Sequence, residues 1–278
     1  MKTELKRNLR ITLVFTLIMI TIMGYSQIVG SGKIVSESRS TDDFSKIKLS
    51  CSADLFITQG STSVRVKADD NIVGLLETNV ENGTLSIEIK GRGFRSANTL
   101  EVYISVPELS NIKNSGSGDI SIKNGFKGTD LYIGISGSGD LEADLDALNL
   151  QLKVSGSGDS DISGIRGMLK VTNSGSGDFE AENLKLEDCD ISNSGSGDIE
   201  LSGKTNNLKV RMMGSGDLDA YNLTSVNVEV KNSGSSDLTL NVVENLKVTL
   251  NGSGDVTYRG DPTKVDVRSN GSGDIYKK

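Results

Sequence analysis

Nine aspartates close a recurring Ser-Gly-Ser-Gly-Asp block, at Asp119, Asp140, Asp159, Asp178, Asp198, Asp217, Asp237, Asp255 and Asp274. Their spacings are 21, 19, 19, 20, 19, 20, 18 and 19 residues. If the repeats stack, these carboxylates fall on one edge about 4.8 Å apart. Neighbours at that distance repel by about 1 kcal/mol in water and about 3.5 kcal/mol at an effective dielectric of 20. Something must offset the repulsion. One way is for each Asp to accept backbone N–H bonds in its own turn, an Asx-turn role. Cations six residues earlier (Lys113, Lys153, Arg211, Lys231 and Arg268) would help. The other way is Ca²⁺ between Asp pairs of adjacent coils, with Ser and carbonyl oxygens completing the shell. Calcium takes six to eight oxygens and one Asp per turn supplies few. The block also differs from the shorter nonapeptide calcium repeat. Turn capping is therefore the reading adopted, and Ca²⁺ on the Asp ladder is the one cofactor the residues suggest.

Other chemistries are poorly supplied. The chain of 278 residues has no His and no Trp, which removes every His-based triad, general base and metal ligand. Cys51 and Cys189 are too few for a disulfide scaffold or a Cys-based zinc site. Cys189 falls in a column of apolar residues and reads as a small buried side chain. The net charge of −7 argues against nucleic acid as a partner. Paired carboxylates are plentiful, but their regular spacing reads as a repeat rather than a unique catalytic cleft. Tyr132, Tyr221, Tyr258 and Tyr276 could stack on sugars, yet packing at ladder ends and links explains them better.

The elements that carry the aspartates follow from the flanks. Three residues before each Asp stand Gly116, Gly137, Gly156, Gly175, Gly195, Gly214, Gly234, Gly252 and Gly271. Gly is required there either for a positive φ or because no Cβ fits. Seven before stand Ile112, Ile133, Leu152, Val171, Ile191, Val210, Val230, Val248 and Val267, and nine before a mostly Leu and Val column broken by Ser110. One and three after the Asp two more apolar columns run, broken by Ser160. Period-two alternation of this kind marks strands with one buried face. A strand–turn–strand unit of 19–20 residues cannot bury that face alone, whereas stacking turns the columns into internal ladders. The expected fold is all-β, a right-handed parallel β-helix (β-solenoid), with a variable link of roughly ten residues per repeat.

Residues 27–110 lack the block but keep the alternation, with strands expected at Phe44–Leu49, Leu55–Thr58, Ser63–Ala68, Thr84–Lys90 and Thr99–Val106. Asn82-Gly83 is a hairpin signal. Cys51-Ser52-Ala53-Asp54-Leu55 is a degenerate repeat that puts Ile47 in the column seven before Asp54. The region reads as an atypical β-rich section capping the stack, with 111–278 the repeat array and 27–278 one continuous domain. Asp69 to Leu76 is left open between turn and short helix. Residues 1–26 read as a signal peptide: four basic residues, an apolar run Ile11 to Met23, and Gly24-Tyr25-Ser26 before the cut. No transmembrane segment is expected in the mature chain. Removal of 1–26 takes the charge from −7 to −10, since the segment holds four cations and one anion.

An ordered set of motifs carries a family resemblance: Phe44-Ser45-Lys46-Ile47, Leu55-Phe56-Ile57-Thr58-Gln59-Gly60, Val64-Arg65-Val66, Gly83-Thr84-Leu85-Ser86-Ile87, Val106-Pro107-Glu108-Leu109 and Asn114-Ser115-Gly116-Ser117-Gly118-Asp119. From about residue 40 onward the chain resembles the bacterial auto-transporter adhesin "head GIN domain" family, DUF2807. The resemblance implies a parallel β-helix similar to pectin lyases, without their catalytic residues, and a role in adhesion. It supplies no site residues. The expected function is an exported, non-catalytic protein of periplasm, cell surface or medium. It would present a rigid surface to an envelope, matrix or host-surface ligand. The alternative is a polysaccharide-binding or polysaccharide-degrading protein of pectin-lyase type.

Overall fold

The computed structural model describes residues 28–91 and 93–278, so the expected signal peptide at 1–26 lies outside the described residues. From Ile120 onward the chain is a stack of coils. Each coil is one long strand that starts just after a repeat Asp and ends just before the next Ser-Gly turn. These are, in chain order, β11 (Ile120–Ile135), β12 (Leu141–Val154), β13 (Ser160–Asn173), β14 (Phe179–Asn193), β15 (Ile199–Met212), β16 (Leu218–Asn232) and β17 (Leu238–Leu250). The short β18 (Val256–Arg259), β19 (Lys264–Ser269) and β20 (Ile275–Lys277) complete the stack. Every neighbouring pair is parallel.

The column seven before the Asp pairs rung by rung: Ile112 with Ile133, then Leu152, Val171, Ile191, Val210, Val230, Val248 and Val267. Ile47 joins beneath Ile112, in the place its alternation required. These side chains merge with those one and three after the Asp into one continuous core, in which Phe126 and Phe179 are the largest fully buried residues. Ser110 leaves the interior because Leu109 takes the buried place one residue earlier, as Phe44 does beside Ser45. Ser160 does point inward, 1% exposed, and its hydroxyl has no partner among the described residues.

The links are not loops. Strand pairing runs on through the corner, and bulges absorb the differences in length. The 21-residue spacing is the clearest case: Ile122 pairs with Ala143 and Phe126 with Leu145, so β11 fits two extra residues between the same rungs. Asn124 and Gly125 make that bend at φ 69° and 60°. Five residues after the Asp, Gly164, Asn183, Gly203 and Gly260 also take positive φ. That conformation suits Gly and Asn.

The N-terminal section ends the parallel stack with antiparallel pairing. Its strands are β1 (Ile28–Val29), β2 (Ile34–Arg39), β3 (Lys46–Leu49), β4 (Asp54–Gln59), β5 (Ser63–Asp69), β6 (Leu76–Glu81), β7 (Thr84–Ile89), β8 (Phe94–Ser96), β9 (Leu100–Val106) and β10 (Asn111–Asn114). β3 lies between β10 and β7, and β4 between β11 and β9, all parallel. β6 then pairs antiparallel with β7 across Asn82-Gly83, both at positive φ. β5 pairs antiparallel with β9, and β2 with β5. The segment left open becomes a turn with one 3₁₀ turn at Val73–Leu75. Buried Asp69 ties this end together: it accepts N–H bonds from Gly32, Asn98 and Thr99 and a side-chain amide bond from Asn98. Burial alone would raise its pKa, but these donors outweigh burial and hold it at about 2. At the opposite end Val265 and Val267 stand 46% and 41% exposed, although they belong to columns that are buried elsewhere.

Candidate functional site

The repeat turns stack so closely that their chemistry is shared between coils. An added Cβ at each of the nine glycines three before the Asp would sit 1.5–1.9 Å from the carbonyl oxygen of the equivalent residue one coil below. At the eight glycines one before the Asp it would sit 1.9–2.2 Å from the corresponding oxygen. None of these glycines has positive φ. Of the two reasons open from sequence, lack of room is the operative one. The first coil carries Cys51 and Ala53 at these positions, where no repeat turn lies beneath.

The aspartates do not cap their own turns. Each donates its backbone N–H to Oδ1 of the Asp one coil below, from Asp119 on Asp54 (3.1 Å) to Asp274 on Asp255 (2.8 Å). Its carbonyl in turn accepts the N–H of the residue following that lower Asp, at 2.7–3.0 Å. Every carboxylate from Asp54 to Asp255 is thus a clamp between coils, and the N–H dipole it receives offsets the like-charge repulsion. The Asx-turn role belongs instead to buried Asn114, Asn173, Asn193 and Asn232, five before the Asp. Their Oδ1 accepts an N–H two residues on (2.9–3.1 Å), and their Nδ2 donates to the carbonyl four residues on (2.6–3.2 Å). The recurring Asn-Ser-Gly-Ser was the signal that could have found them.

A second acidic column, two residues after the Asp, was also not read from sequence. Glu142, Asp161, Glu180, Glu200 and Asp219 stand beside the ladder and line shallow grooves with it. Burial, together with Asp159, Glu142 and Asp140, pushes the Asp161 carboxyl above its ordinary range. Burial, Glu200, Asp161 and Glu182 do the same to Glu180. Lys123 answers Glu142 at 3.0 Å. Among the described residues no three carboxylates or thiolates converge on a point that could hold a metal ion. The arrangement makes this side of the stack a diffuse field that attracts cations.

The outward column six before the Asp, on the strand entering each turn, carries a cation at six of its ten rungs, with Gly134, Thr172, Ser192 and Thr249 at the others. Six before the Asp run Lys48, Lys113, Gly134 and Lys153 in register, and further on Arg211, Lys231 and Arg268. Of the four tyrosines, Tyr132 lies against Gly134. Tyr221 carries the Arg259 guanidinium 3.6 Å over its ring. Tyr258 packs on the core, and the Tyr276 hydroxyl donates to Asp274 (3.0 Å). Sequence reasoning missed a stack of Phe56 on Tyr103, with ring centroids 5.0 Å apart and Arg65 over Tyr103. Both thiols are buried, and burial raises the pKa of each. No helix among the described residues is long and apolar enough to cross a membrane.

The family model described as "Putative auto-transporter adhesin, head GIN domain" (DUF2807) matches residues 43–202 and 187–262. Three solved structures each align with 90% of this chain. A "putative lipid binding protein" of Parabacteroides distasonis is 25% identical, covered over 99% of its length, with TM-score 0.63. A "putative adhesin" of the same species is 21% identical, covered over 99%, with TM-score 0.68. Another, from Parabacteroides merdae, is 21% identical, covered over 98%, with TM-score 0.64. No curated protein matches the sequence.

Proposed function

This chain belongs to the DUF2807 family, and from that premise we propose that it is an exported, non-catalytic protein whose solenoid presents a rigid surface for adhesion. One observation carries the reading: outward charged side chains are fixed in register along the stack by strands that share one core. A surface so ordered binds at little conformational cost, because its backbone is already immobile before a ligand arrives. The interior is filled by side chains, so any ligand, lipid included, lies on the outside. Residues 1–26 direct export, and the mature protein works in the periplasm, at the cell surface or in the medium.

The test is binding of the purified protein to whole cells, extracellular matrix and envelope polysaccharide, read by surface plasmon resonance and by polymer size. Saturable binding with the polymer left intact is the expected result. Shortening of the polymer would replace this reading with the polysaccharide-degrading one. Absence of binding to every surface would remove it.

A further inference from the structure

The basic column is not uniform along the stack. In the upper coils Arg211 of this column meets Asp190 at 2.9 Å and Arg268 meets Asp266 at 3.8 Å, and between them Lys231 stands alone, flanked by Thr249 and, beyond Arg211, by Ser192. In the lower coils Lys48, Lys113 and Lys153 are exposed, and among the described residues none forms an ion pair. They lie on one line along the stack, spanning three coil intervals or about 14 Å. Three unanswered ammonium groups in a row repel one another, so the fold gains nothing electrostatically by placing them there.

The third rung of that line, between Lys113 and Lys153, is Gly134. The missing side chain leaves a notch. Tyr132, two residues earlier on the same strand, lies over it: a Cβ on Gly134 would be 3.1 Å from the ring edge and from the hydroxyl. On the other side run Ser115, Ser136 and Ser155, which line the same groove. The Ser115 and Ser136 hydroxyls make only long contacts to backbone carbonyls, 3.3 and 3.5 Å, and remain free to bond elsewhere. The groove has a volume of about 290 Å³.

An aromatic ring beside a backbone floor takes the face of a sugar. Ammonium groups at the coil repeat take negative charges strung along a polymer, and a hydroxyl row takes sugar hydroxyls. Nucleic acid is disfavoured by the net charge of −7 and by the acidic columns on the same coils. We propose that Lys48, Lys113 and Lys153, with Tyr132 over the Gly134 notch, bind an acidic polysaccharide whose chain lies along the solenoid axis. The proposal rests on the adhesion reading above and names its ligand class.

The test is calorimetric titration of the full chain with polygalacturonate, heparin and neutral dextran, beside the whole-cell binding assay. Wild type should bind one or both acidic polymers and not dextran, and the preference identifies carboxylate or sulfate as the anion. The triple variant K48Q/K113Q/K153Q should lose at least tenfold in affinity, and K247Q, at a lysine outside the column that pairs with Glu229, should lose little. Gly134→Lys separates a shaped site from general attraction: it adds a cation but fills the notch, and should weaken binding. Circular dichroism melts confirm that each variant is folded. Tighter binding by Gly134→Lys, or unchanged binding by the triple variant, overturns the proposal. If wild type binds cells but no acidic polymer, this proposal falls and the adhesion reading stands. If it binds nothing, both fall.

Discussion

At Gly175 an added methyl carbon would sit 1.8 Å from the Gly156 carbonyl oxygen, and that oxygen is held in the stack by the N–H of Ser176. Neither partner can move alone. Gly175→Ala should therefore cost about 3 kcal/mol or more in urea unfolding, near the top of the range for overpacking. Cys51→Ala, at the same place in the bottom coil, should cost no more than about 1 kcal/mol. Equally small effects at the two sites would mean that the stack gives way to admit a Cβ at Gly175. Ser160 makes the opposite case. Its buried hydroxyl has no partner among the described residues, so Ser160→Ala should raise stability by about 1 kcal/mol. A loss on urea titration would reveal a partner for the hydroxyl. For the aspartates, one carboxylate oxygen of each clamped residue is already engaged by the coil above. Calcium needs six to eight oxygens. The melting temperature in EDTA and in millimolar Ca²⁺ should agree within about 1 °C, and a rise of several degrees would place the ion on the ladder.

The strands themselves were legible because a period of two survives every change of residue, and stacked columns had to be buried wherever their alternation placed them. Ile47 and Leu55 show how far this reached into a region without the glycine block. In the N-terminal section, apart from the Asn82-Gly83 hairpin, direction and partner were not legible. Alternation is the same for parallel and antiparallel pairing, so nothing in Val64-Arg65-Val66 announced an antiparallel neighbour. Nor could spacing show whether an Asp meets an N–H two residues away in its own turn or nineteen away in the next coil. The antiparallel end depends on Asp69, whose pKa of about 2 lies below its ordinary 3.8. A depressed carboxylate contributes stability above the unfolded pKa, and the contribution fades as pH falls from about 4 towards 2. Melting temperature should drop across that window. Asp69→Asn should start lower at pH 7 and show a shallower decline. Parallel curves for the two proteins would assign the acid sensitivity elsewhere.

Across the whole molecule the two ends differ in kind. The first coils are closed by antiparallel strands, whereas the last coil shows Val265 and Val267 to solvent. Protection against amide exchange should be highest in β12–β16 and fall towards β19 and β20, which among the described residues pair on one side only. Uniform protection to Lys277 would show that something covers that end. Charge is segregated as well, with an anionic edge at the turns and an uncompensated cationic stretch low on the entering strands.

The interfaces between coils have a mechanical side. A load pulling the two ends apart along the axis passes through every interface in turn, because each coil pairs its strands only with the coils above and below it. When one gives way it frees about 19 residues, or some 65 Å of extended chain, where it had occupied about 4.8 Å. The rest of the stack stays folded and keeps its surface. Such a body yields in steps and lengthens rather than snapping, which is the behaviour of a shock absorber in a tether under intermittent flow.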